Sequence, residues 1–121
     1  MKDFIKKHLT NVKQATKKEK EKEFWDVAGI LKNRLNEKLK YDLRPYDKDD
    51  QGRDVKPLTN RSKADKIVFE QKDKWVVVEA VELHSFIITH RLKEINLEDI
   101  IKDKDIAIVT GGKFIDYHAT H

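Results

Sequence analysis

The sequence predicts an α+β domain, with N-terminal helices followed by a mixed β-sheet and a short helix before the last strands. Three observations carry that reading. Residues 17–23 (KKEKEKE) alternate charges in strongly helix-favouring residue types. Residues 64–70 (ADKIVFE) and 75–81 (WVVVEAV) are β-branched and aromatic runs on either side of the polar turn Gln71 to Lys74. Residues 106–109 (IAIV) lead into Gly111 and Gly112, a two-residue turn suited to a tight hairpin with residues 114–117. Helices gather at one end of the chain and strands at the other, so the class is α+β or a small mixed α/β sandwich.

Taken in order, residues 2–16 read as a short basic amphipathic helix with Phe4, Ile5, Leu9 and Val12 on one side. The charged run that follows reads as a solvated helix face, so residues 1–23 form a basic helical extension to a core spanning 24–121 of a single domain. Phe24, Val27, Ala28, Leu31, Leu35 and Leu39 recur at three- and four-residue steps, which predicts a helix packed on that core, weakened at Gly29 and ended by Pro45. Residues 46–63 are the longest irregular stretch. The two-stranded hairpin comes next, and its second strand is expected to continue through residues 83–89. Asn96, with Asp99 three residues on, caps a short helix through Leu97, Ile100 and Ile101.

Bulk composition narrows the function classes. At 121 residues the chain is one domain with room for a core. Charged residues make up 40 % of it, yet the formal net charge is only +4, a mild lean toward a polyanion such as nucleic acid. With no Cys, disulfide scaffolds, thiolate zinc sites and cysteine nucleophiles are all excluded. The first residues lack an apolar signal region and no apolar run approaches about 18 residues, so a soluble cytoplasmic protein is the expectation.

The hairpin carries the chemistry. If it is symmetric about Lys72, Phe69 faces Trp75, Ile67 faces Val77 and Asp65 faces Glu79. Two carboxylates would then meet on one face, with Cβ atoms roughly 4.5–5.5 Å apart. A cation between them would offset their burial, and oxygen-only ligation suits Mg²⁺ or Mn²⁺. The plainer alternative leaves Asp65 in solvent at a strand mouth and gives Glu79 a Lys or Arg partner. Register decides, because a slip of one residue sends the two side chains to opposite faces.

An acid on one strand and a second acid along the next, in KADKIV and WVVVEAV, followed by IVTGG with Phe114 and Tyr117, resembles the PD-(D/E)XK nuclease core. The similarity is to the nuclease domain that opens type I restriction subunits and to related phage or mobile-element proteins, and it covers about half the chain. The resemblance implies a restriction-endonuclease-like core, a Mg²⁺ or Mn²⁺ ion held by Asp65 and Glu79, and a metal-activated water attacking a phosphodiester, DNA first among substrates. It also implies a third carboxylate, for which Glu21, Glu23 or Glu37 is placed. The family's catalytic lysine belongs two residues after Glu79, where this chain has Val81. Lys113 or Lys38 would have to stand in for it, while Lys66 is expected on the opposite face of its strand. Arg61, Lys66 and Arg91 are the candidate phosphate contacts. Cutting both strands needs two sites, so a homodimer or a protein partner suits this reading.

Two other functions fit the order of elements. One is a metal-free ribonuclease resembling barnase- and RelE-like toxins, with His84, His90 and Arg91 as acid, base and phosphate clamp. The same histidines, on a continuous strand with Glu82, would also suit a transition metal. The other is a phage- or mobile-element-encoded inhibitor or accessory protein without catalysis, consistent with the lysine-rich helices and the absent motif lysine.

Overall fold

Three stretches, VAGIL, KIVFE and WVVVE, are nearly continuous apolar runs, as expected of strands covered on both faces. They become β2 (Val27–Leu31), β4 (Lys66–Glu70) and β5 (Trp75–Glu79). Together with β1 (Leu9–Gln14), β3 (Lys38–Arg44) and β6 (Ala107–Thr110) they form one mixed six-stranded sheet in the order β1-β2-β3-β4-β5-β6. Every neighbouring pair is antiparallel except β3 and β4. The helices are α1 (Lys2–His8), α2 (Lys17–Glu23) and α3 (Ala80–His90). This computed structural model describes residues 2–32, 37–45, 62–72, 74–91 and 107–110. The class is α+β, as the sequence predicts. The expected helix near Asn96, most of the 46–63 loop and the Gly111-Gly112 hairpin lie outside the described residues.

Two apolar layers sandwich the sheet. On one face α1 lays Phe4 on Val27, Leu31, Tyr41, Leu43, Val68 and Val77. On the other, Ala80 and Leu83 of α3 cover Ile67, Phe69, Val76 and Val78. Alternation sorts the strands accordingly, so Tyr41, Lys66, Val68 and Val77 face α1 while Asp42, Ile67 and Val78 face α3.

Three sequence expectations are corrected here. The helix over residues 2–16 stops at His8 and the chain continues as edge strand β1, whose register shifts between Thr10 and Lys13 around Asn11 at φ 52°. Asn tolerates that left-handed geometry better than most residues. The basic extension thus contributes a helix and a strand to the core. The helix from Phe24 is replaced by β2 and β3, and Pro45 follows a strand. Short apolar runs satisfy a three- and four-residue period by coincidence, and Gly29 was the useful signal. A Cβ there would lie 3.3 Å from the Thr10 carbonyl oxygen and 3.4 Å from Leu9 Cβ, so β1 approaches closely enough that an added methyl group would be crowded. Gly29→Ala is expected to destabilise the fold by about 1 kcal/mol through overpacking; an unchanged urea midpoint would show that β1 can shift to accept the methyl group.

The third correction is α3. Residues 83–89 read as strand because Phe86, Ile87, Ile88 and Thr89 are aromatic or β-branched, but Ala80, Leu83 and Ile87 recur at helical steps and pack on the sheet. Packing outweighed propensity. The charged run behaves as expected. α2 buries no side chain and starts with a capping box, Thr16 Oγ1 accepting the Glu19 N–H at 3.1 Å and Glu19 Oε1 accepting the Thr16 N–H at 3.0 Å. Among the described residues no helix is long and apolar enough to cross a membrane.

Candidate functional site

The turn between β4 and β5 sets a register one residue away from the symmetric one. Lys66 pairs with Glu79, Ile67 with Val78 and Phe69 with Val76. Lys66 and Glu79 therefore share a face, and Asp65 does not lie opposite Glu79. The Lys66 ammonium meets Glu79 Oε1 directly. The lysine side chain is 4 % exposed and the carboxylate side chain 33 %. The expectation that Lys66 points away from Glu79 is corrected by that slip.

Asp65 precedes β4 and is exposed. Its Oδ2 accepts the Lys40 N–H at 2.8 Å, its own N–H donates to the Lys40 carbonyl at 2.8 Å, and its carbonyl accepts the Ala80 N–H at 3.1 Å. The residue thus joins β3, the start of β4 and the first turn of α3. Val81, where the resemblance places the catalytic lysine, lies in that turn and is 72 % exposed.

Lys40 also ties this corner to α2. Its Nζ lies 3.4 Å from Glu23 Oε1 and 5.1 Å from the Trp25 ring centroid. The Trp25 indole N–H donates to Glu23 Oε1 at 3.1 Å and, with Lys40, holds the Glu23 carboxyl below its ordinary range. Of the three proposed third carboxylates, Glu23 is tied to Lys40, whose backbone holds Asp65. Glu21 is exposed on α2, and Glu37 precedes β3, whose first residue Lys38 is exposed. Among the described residues no group of three carboxylates or imidazoles is placed to hold a metal. Arg91 is the exposed C-cap of α3, at φ 52°, and its N–H donates to the Ile87 and Ile88 carbonyls. Arg61 and Lys113 lie outside the described residues.

The helical form of residues 80–90 separates His84 from His90, which a strand would have placed on one face. His90 turns back on its own helix, its Nδ1 lying 3.0 Å from the Phe86 carbonyl and its ring 4.3 Å from that of Phe86. His84 is partly buried, and its Nε2 is shielded from solvent. Burial lowers the His84 pKa, and the Arg44 guanidinium lowers it further. His8, packed between Phe4 and Trp75, is lowered by burial and then by Lys7 and Lys32.

A pH dependence follows. The unfolded histidines take up protons near pH 6.5 while the folded ones do so only at lower pH, so acidification adds protons to the unfolded chain first. Stability is expected to fall as pH drops below about 6.5 and to level off below the folded values. Urea midpoints measured across that window should decrease toward acid, less steeply in His84→Phe; a flat profile would contradict both buried, neutral histidines.

No protein-family model, no curated protein and no solved structure matches the chain.

Proposed function

We propose that this chain is a small nucleic-acid-binding protein, with DNA its first ligand, in which the carboxylates suggestive of a PD-(D/E)XK site serve the fold and catalysis is degenerate. The observation that carries the reading is the Lys66–Glu79 pair. A buried ammonium supplies the charge compensation that a bound Mg²⁺ would otherwise provide. Asp65 meanwhile spends one oxygen on the Lys40 N–H.

Binding rests on charge placement. Residues 2–23 hold eight lysines against Asp3, Glu19, Glu21 and Glu23, an excess of four that equals the net charge of the whole chain. Lys13 on β1 and Lys17, Lys18, Lys20 and Lys22 on α2 are all exposed. An array of flexible ammonium groups engages phosphates without reading bases. Its affinity should fall steeply with salt as counterions are released.

The test is a titration of Mg²⁺ and Mn²⁺ into wild-type protein and Asp65→Ala with single- and double-stranded DNA and RNA present. Salt-sensitive DNA binding that weakens on neutralising Lys17, Lys18, Lys20 and Lys22 to Gln, without metal-dependent cutting, is the expected result. Cutting that requires metal and Asp65 would replace degeneracy with an active variant site. Metal-free RNA cleavage would favour the ribonuclease reading, and absence of any nucleic-acid binding would leave the inhibitor or accessory class.

A further inference from the structure

The alternating charges of residues 17–23 become a sorted surface once they are wound into α2. At about 3.6 residues per turn each residue advances roughly 100° around the axis. Lys17 and Lys20 then form one row, Lys18 and Lys22 a second row about 150° away, and Glu21 stands midway between them. Glu19 and Glu23 fall on the opposite side, toward the domain. Their contacts bear that orientation out. Glu23 accepts the Trp25 indole N–H at 3.1 Å and lies 3.4 Å from Lys40 Nζ, while Glu19 is taken up by the capping box. Both are less exposed than the four lysines and Glu21, all of which are exposed on a helix that buries no side chain. The outward surface of α2 thus carries four positive charges against one negative.

Two rows of ammonium groups flanking a helix match two rows of phosphates flanking a groove. The major groove of B-form DNA is about 12 Å wide and admits an α-helix about 10–12 Å across with its side chains. Lysines leaving both sides of such a helix meet the two backbones, and Glu21 overhangs base edges rather than phosphates. Charge density agrees with direction. From Lys17 to Lys22 the helix rises about 7.5 Å, over which a duplex presents about four phosphate charges and one strand about two. A single strand therefore offers one row where the helix has two. Duplex RNA keeps its major groove deep and narrow, closed to a helix carrying side chains on both flanks.

We propose that α2 lies along the major groove of B-form DNA, with Lys17 and Lys20 on the phosphates of one strand and Lys18 and Lys22 on those of the other. The placement rests on the nucleic-acid reading above and names its ligand as duplex DNA, held by its backbone geometry.

Fluorescence anisotropy of one labelled sequence, as DNA duplex, as single strand and as RNA duplex, tests it across a sodium chloride series. The proteins are the full chain, Lys17→Gln/Lys20→Gln, Lys18→Gln/Lys22→Gln, and Lys72→Gln, an exposed lysine beyond the end of β4 remote from Asp65. The expected result is tightest binding to the DNA duplex, with either double substitution making the plot of log K against log salt shallower by about 1.8 on that duplex. Lys72→Gln is expected to leave the slope unchanged, which separates row geometry from net charge. A slope that responds to one pair and not the other overturns the groove placement. Binding of the unaltered chain to the single strand or the RNA duplex as tightly as to the DNA duplex overturns it too, and that comparison needs no variant to fold. Either of those results leaves the nucleic-acid reading standing, whereas binding to none of the three ligands overturns both.

Discussion

Phe4→Ala is expected to remove about 3–5 kcal/mol of stability. The ring has no solvent exposure and sits among three others, 5.2 Å from His8, 5.8 Å from Trp75 and 6.3 Å from Tyr41 between centroids. Substitution would open a cavity where α1 meets the sheet, with rigid aromatic walls that collapse poorly. Small domains hold only about 5–15 kcal/mol in total, so the variant should be substantially unfolded under mild conditions. Equilibrium urea unfolding, followed through Trp25 and Trp75 fluorescence, measures the loss. A change below about 1 kcal/mol would return residues 1–23 to the role of an appendage, because a surface helix tolerates this substitution.

The same residues show why some of the fold was legible and some was not. β4, β5 and the solvated α2 could be read because local signals agreed with tertiary demand: β-branched runs meet a sheet buried on both faces, and alternating charge meets solvent. The first helix was legible only to His8, since Phe4, Leu9 and Val12 fit one stripe although the chain changes from helix to strand between them. α3 and β2 were misread in opposite directions. Phe86, Ile87 and Ile88 favour strand in isolation and form a helix because Leu83 and Ile87 find the sheet. The apolar positions from Val27 fit a helix period and form a strand because neighbours on both sides supply hydrogen bonds.

The candidate site depended on the least legible quantity of all, hairpin register. Local pattern fixes which residues form a strand, whereas the turn fixes which residues oppose one another. The buried Asp42–Arg44 pair was missed although its spacing was visible, an acid and a base either side of Leu43 in an alternating strand. Nothing local distinguishes that spacing from a surface ion pair until α3 is laid over it.

Glu79→Ala tests the register through the sign of its effect. Two carboxylates forced together on one face would repel, and removing one would stabilise the fold. In the observed register the same change takes a carboxylate away from the Lys66 ammonium, whose side chain is 4 % exposed. Breaking a buried ion pair costs up to several kcal/mol, but Glu79 keeps a third of its side chain in solvent, which places the expected loss at roughly 2–3 kcal/mol. The partner change is unequal. Lys66→Met removes the buried charge, leaves a carboxylate one-third exposed that water can solvate, and is expected to fall within about 1 kcal/mol of wild type. Adding Lys66→Met to Glu79→Ala should therefore recover most of the loss, a coupling that urea midpoints of the two singles and the double variant measure directly. Stabilisation by Glu79→Ala, or additivity of the two changes, would restore Asp65 as the partner of Glu79 and with it the case for a metal between them.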